Sequence, residues 1–144
     1  MTREYPDWPR VGVGAVVLRP DSVLLVRRGR APALGEWSLP GGAQELGETV
    51  EATARRELLE ETGLSVGTLT LVAHVDSIHP DADGRIRYHY TILDFAAHWQ
   101  GGEPVAGDDV TAAAFIRFDA LDGLGLWSEA LRVIAAARVL LGVH

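Results

Sequence analysis

Residues 42–64 read GAQELGETVEATARRELLEETGL, and the way this stretch folds decides where the chain's acidic groups are placed. From Thr49 to Thr62 it holds neither glycine nor proline and is dominated by Ala, Arg, Leu and Glu, residues that lose little on entering a helix. Thr49 supplies a hydroxyl that can accept a first-turn amide, and Gly63 can take the left-handed conformation that ends a helix. The spacing predicts a helix over 49–62. Each helical residue turns by about 100°, so Glu57, Glu60 and Glu61 share one face. Like charges three and four residues apart repel by some tenths of a kcal/mol per pair, so this face calls for a compensating cation. Two readings follow. A solvated Glu/Arg surface, balanced by Arg55 and Arg56, is the commoner meaning of an acidic run; alternatively, the carboxylates hold Mg²⁺, which takes octahedral oxygen ligands and leaves positions for water and phosphate.

Working outward, the segment before this stretch, Glu36-Trp37-Ser38-Leu39-Pro40-Gly41-Gly42, predicts a tight turn whose backbone something approaches closely. Earlier still, the apolar runs over 11–18 (VGVGAVVL) and 23–26 (VLLV) flank Pro20 and Asp21 and predict a hairpin. Arg27, Arg28 and Arg30 follow its end, and a loop runs through Pro32 and Gly35. Downstream, residues 69–78 and 85–97 predict two longer strands around the turn His79 to Gly84, and 112–118 predicts another. Apolar residues at helical spacing over 128–141 predict a second, amphipathic helix. Strands between an internal and a terminal helix imply an α/β (α+β) sandwich, a mixed sheet between helices.

Composition narrows the chemistry. A chain of 144 residues with 47% hydrophobic content suits one domain with one core, spanning 1–144. Cysteine is absent and all 13 basic residues are arginine, which excludes disulfides, thiol nucleophiles, Cys-ligated zinc, Schiff bases and P-loop lysines. A net charge of −7 without a basic run argues against a nucleic-acid polymer as partner, and leaves a small anionic substrate whose charge is met by bound cations. The opening MTREYPDWPR has no apolar run, so neither a signal peptide nor a membrane span is expected, and the default location is cytoplasmic.

The whole pattern is Gly42, five residues, Glu48, seven residues, Arg56-Glu57-Leu58, one residue, Glu60-Glu61, one residue, Gly63-Leu64. In this it resembles the Nudix hydrolases, whose signature box has that spacing; the flanking strands, the EWSLPGG segment and the terminal helix are also similar to that family. The resemblance implies a Nudix-type α/β/α sandwich and a Mg²⁺ site, with Mn²⁺ as a substitute ion. Glu60 and Glu61 would be the principal ligands, Glu57 a further ligand or base, and the Gly41 carbonyl a completing ligand. Arg56 would orient the glutamates by pairing with Glu48 and Glu57, while Gly42 and Gly63 would permit the loop geometry. One carboxylate from outside the box usually assists, and Asp109 in Gly107-Asp108-Asp109 is the first choice, ahead of Asp108 and Glu103.

Other residues carry weaker signals. Arg27 and Arg28 are candidates to clamp a terminal phosphate, His89 and Tyr90 to line the pocket, and Trp8 or Tyr5 to stack on a base; Trp37 reads as packing. Gly12-Val13-Gly14 lacks the following helix that a dinucleotide fingerprint needs, and His74, His79 and His98 lack metal-ligand spacing. The expected reaction is hydrolysis of ADP-ribose to AMP and ribose 5-phosphate, because the chain looks like that subgroup and Pro80 lies sixteen residues past Leu64, near its marker proline. The alternatives are an oxidised nucleoside triphosphatase that releases pyrophosphate, and a non-catalytic nucleotide-binding module of the same fold. A homodimer whose Tyr5 to Trp8 arm reaches the partner's pocket is a further expectation.

Overall fold

The computed structural model describes residues 3–30 and 33–144; of the loop expected through Pro32 and Gly35, Pro32 lies outside the described residues. In chain order the elements are β1 (Arg10–Leu18), β2 (Ser22–Arg28), β3 (Trp37–Ser38), β4 (Gly41–Ala43), α1 (Val50–Thr62), β5 (Thr70–Pro80), β6 (Ile86–His98), β7 (Val110–Arg117), a 3-10 turn (Phe118–Gly123) and α2 (Ser128–Leu141). The strands form one mixed sheet in the order β3-β2-β1-β6-β5, with β4 also pairing β1 and β7 also pairing β2.

Alternation along the central strands sorts the core into two layers. Val16 and Leu18 of β1 and Ala96 of β6 pack with Val133, Ile134 and Ala137 of α2. The intervening residues point the other way: Val13 and Phe95 meet Ala54 of α1, and Ala15 and Val17 meet Leu58. The helices therefore cover opposite faces of the sheet, as the sandwich expectation required. No helix of the described residues is long and apolar enough to cross a membrane.

Three local expectations are corrected. The hairpin between β1 and β2 amounts to one pair, Leu18↔Val23, because β1 runs parallel to β6 over its whole length while β2 pairs along β7. Both strands are buried runs without alternation, which suits two partners each better than one shared hairpin. Arg27 and Arg28 lie inside β2 and not beyond it. The segment Glu36 to Gly42, expected as a tight turn, carries the very short strand β3 and the start of β4, and the backbone that closely approaches Gly41 is that of Val13 and Gly14 in β1.

Candidate active site

Helix α1 begins and ends where its sequence dictates. The Thr49 side chain accepts from the Ala52 amide, and Gly63, in the left-handed region at φ 72°, donates back to the Leu59 carbonyl. Leu58 and Ala54 anchor the helix on the sheet, each 1% exposed, and this fixes which way Glu57, Glu60 and Glu61 turn.

Arg56 is the hub. Its Nε donates to Glu48 Oε2 at 2.7 Å and its Nη2 to Glu48 Oε1 at 3.0 Å, a two-pronged pair, while Nη1 donates to Glu57 at 2.8 Å and to Glu60 at 3.4 Å. Nη2 also reaches the Ala43 carbonyl at 3.2 Å. The guanidinium beside Glu48, with the Glu45 amide and the Thr53 hydroxyl, holds that carboxyl down at about 2. The pairing expected of Arg56 with Glu48 and Glu57 is present. Gly42 proves to have a different task from shaping a loop: it is extended in β4, and a Cβ there would run into the Glu57 carboxylate.

Glu61 is in a different situation. Its side chain is 6% exposed and receives one hydrogen bond, from the Gly41 amide at 2.8 Å. Burial pushes its carboxyl up to about 8; the Gly41 amide opposes the shift, and the charges of Glu57, Asp109 and Asp108 add to it. Burial likewise raises Glu57, against the pull of Arg56. Gly41 therefore meets Glu61 through its N–H.

The outside carboxylates arrive on the loop before β7. The amides of Val105 and Gly107 donate to the Thr62 and Glu61 carbonyls at 2.9 and 3.1 Å, satisfying carbonyls left over at the helix end. Gly107 sits so close that a Cβ would strike the Glu60 carbonyl oxygen. Asp108 follows in the left-handed region at φ 54°, a conformation Asp tolerates better than most residues, and Asp109 is half-buried with Arg30 at 3.5 Å. Glu103 is drawn away: it pairs at 2.8 Å with Arg19, whose guanidinium is stacked on Trp99 and Phe115. Asp108 and Asp109 thus reach the acidic face and Glu103 does not.

Among the described residues, no three acidic or histidine side chains already converge on one metal-sized point, since Arg56 and the Gly41 amide hold Glu57 and Glu61. The donors are nevertheless all oxygens, which is what a hard divalent cation takes. A buried, anionic face whose inner members Glu57 and Glu61 are driven toward protonation lacks positive charge, and a cation would supply it. The residues fit the ion.

The proposed substrate contacts are scattered. Arg27 donates to the Gly35 carbonyl at 3.1 Å and so braces the loop after β2; Arg28 is half-buried at the end of β2. Tyr90 lies beside Gly12 on the α2 face, whereas strand alternation turns its neighbour His89 to the other face. Trp8 is 64% exposed. Tyr5 is engaged within its own chain: its amide donates to the Arg87 carbonyl, its hydroxyl to Asp81 at 2.9 Å, and Arg85 stacks on its ring. Trp37 packs in the core beneath α2, as expected.

A family model described as the NUDIX domain matches residues 8–137. The chain belongs to the Nudix family. It is 36% identical over 121 residues to the ADP-ribose pyrophosphatase of Methanocaldococcus jannaschii, covering 84% of this chain and 69% of that protein. It is 34% identical over 114 residues to the oxidized purine nucleoside triphosphate hydrolase of Mus musculus, covering 79% of this chain and 70% of that protein. Among solved structures, the MutT NUDIX hydrolase of Burkholderia pseudomallei superposes with a TM-score of 0.77 at 34% identity, over 90% of this chain and 98% of that one. The chain is accordingly a Nudix pyrophosphohydrolase, of a family that generally uses a divalent metal ion and acts on small nucleotides.

Proposed function

We propose that this Nudix enzyme hydrolyses a nucleoside diphosphate linked to another moiety, with ADP-ribose as its substrate and Mg²⁺, or Mn²⁺ in its place, as its cation. The observation that carries the reading is Glu61, buried and pushed up to about 8, with Glu57, Asp109 and Asp108 close enough for their charges to act on it. In this reading Glu60 and Glu61 hold the ion with the Gly41 carbonyl, and Glu57 is a further ligand or the base. When bound, the cation neutralises the diphosphate, orients it and lowers the pKa of a coordinated water. Arg56 sets the glutamates' positions through its fork to Glu48 and its bond to Glu57. Glu57, raised by burial, or Asp109 would accept the water's proton. Tyr90 and Trp8 are the aromatic candidates for the base, Arg27 and Arg28 the candidates for the distal phosphate, and His89, on the face opposite Tyr90, a candidate only for the α1 side of the site.

The relative from M. jannaschii named as an ADP-ribose pyrophosphatase supports this choice of substrate. The mouse relative, an oxidized purine nucleoside triphosphate hydrolase, keeps one alternative in play. Chromatography of the products separates them. Attack at a phosphorus of ADP-ribose breaks the bridging P–O bond and gives AMP and ribose 5-phosphate, whereas a triphosphate sanitiser releases a nucleoside monophosphate and pyrophosphate. Pyrophosphate from an oxidised deoxynucleoside triphosphate, with ADP-ribose left intact, would overturn the substrate reading.

A further inference from the structure

We propose that Asp94 reads the substrate's nucleobase, accepting a hydrogen bond from the exocyclic amino group of adenine; the proposal rests on the ADP-ribose reading above. Asp94 is 4% exposed, yet among the described residues no group donates a hydrogen bond to it and no cation pairs with it. The positive charge that acts on it is Arg132, and only through space. That guanidinium is already committed to Glu129 at 2.6 Å and to the His74 carbonyl at 3.3 Å. Its oxygens keep a narrow contact with solvent, since among the described residues the fully enclosed side-chain atom without a partner is Arg19 Nε; a nearly buried carboxyl that no donor of its own chain serves still calls for an explanation, and a ligand that brings the missing donor through that opening is one. Burial pushes this carboxyl up to about 6, in keeping with an acceptor that lacks its donor.

The direction of the side chain says where such a ligand would lie. Asp94 stands on the α2 face of β6, in register with Gly14 of β1, which is in turn in register with Gly41 of β4. A Cβ on Gly14 would fall on Asp94 Oδ1 and would next meet the Pro40 carbonyl at 3.8 Å. The carboxylate therefore lies across a bare glycine, pointing along the row toward the Pro40–Gly41 segment whose amide holds Glu61. Two strand spacings, about 10 Å of backbone, separate Asp94 from Gly41; because the glutamates lie on the α1 face and Asp94 on the α2 face, the nucleotide passes around the β4 edge of the sheet, with its phosphate at the acidic face and its base edge at Asp94. One row along, Gly12 is bare as well and is flanked by the Tyr90 ring and Ile92, an aromatic and apolar surface of the kind a base stacks on. An ionised carboxylate only accepts hydrogen bonds, so the partner it selects is an N–H donor, and the exocyclic amino group of adenine is one.

The test compares binding of AMP with that of purine riboside 5′-monophosphate, which lacks only the amino group, by calorimetry without turnover. The wild type is expected to favour AMP by about tenfold. Asp94→Val and Asp94→Ala are expected to bind both nucleotides alike, with melting midpoints equal to or above that of the wild type because an unpaired buried charge has gone. Equal binding of the two nucleotides by the wild type overturns the proposal, and so does an AMP preference that survives in either folded variant. AMP preference without hydrolysis of ADP-ribose would refute the substrate reading and leave Asp94 in its role; hydrolysis without that preference would refute Asp94 alone.

Discussion

Replacing Glu61 with glutamine should make the metal-free protein more stable at alkaline pH, although it removes a residue of the active site. Glu61 is raised from 4.5 to about 8 in the folded chain. Between those values the folded state keeps a proton that the unfolded state has released, so stability falls as pH rises. This contribution is fully present below the unfolded pKa and is lost as pH rises through about 8. At 1.36 kcal/mol per unit the whole shift amounts to about 3–5 kcal/mol once some water penetration is allowed for. Glutamine keeps the Gly41 contact and carries no charge, so Glu61→Gln lacks that slope. Urea unfolding of both proteins in chelator, near pH 5 and near pH 9, measures the difference. The variant should match the wild type at the lower pH and exceed it by about 3–5 kcal/mol at the higher. Parallel pH dependences, or a variant less stable near pH 9, would refute the argument that this carboxyl is buried without sufficient positive charge.

The remaining expectations follow from single contacts. Arg56→Lys keeps the charge but cannot span Glu48 in two prongs and Glu57 together. Steady-state turnover should therefore drop about 10²-fold as the glutamates drift, and the acid-side stability held by Glu48, present above its unfolded pKa of 4.5 and lost as pH falls toward about 2, should shrink in acid-unfolding curves. Gly107→Ala meets the Glu60 carbonyl and should cost about 1–3 kcal/mol in denaturant unfolding, with lower turnover because the Asp108–Asp109 loop is pushed off the helix. Asp109→Asn should lower kcat by about tenfold with little change in stability; an unchanged kcat would transfer the role to Asp108.

The parts of this molecule that could be read from sequence are those governed by local chemistry. Thr49 and Gly63 mark the helix because capping is decided within a few residues, and the acidic face follows from helical geometry once the helix is granted. The arrangement of β1 was hidden for the opposite reason. A fully buried strand shows no alternation, so nothing in VGVGAVVL says that its long partner is β6, about eighty residues on, and not the adjacent β2. β3 and β4, with two and three residues, are too short to display any period. The order Asp109, then Asp108 and Glu103, had little physical ground in the sequence, because each is an acidic residue in a loop; Arg19 between Trp99 and Phe115 decides that Glu103 leaves. Asp94 was missed because it replaces one apolar member of the strand Ile86–His98, and only burial without a partner distinguishes it.

The measurement closest to the central claim is the turnover of ADP-ribose as Mg²⁺ is titrated into the metal-free wild type and into folded Glu60→Gln and Glu61→Gln variants. The account predicts that wild-type turnover rises from nothing with added Mg²⁺ and vanishes again in chelator, and that each variant, melting cooperatively, loses most of it because the amide keeps the shape but not the charge that holds the ion. Full turnover in chelator, or wild-type rates in either folded variant, would contradict it.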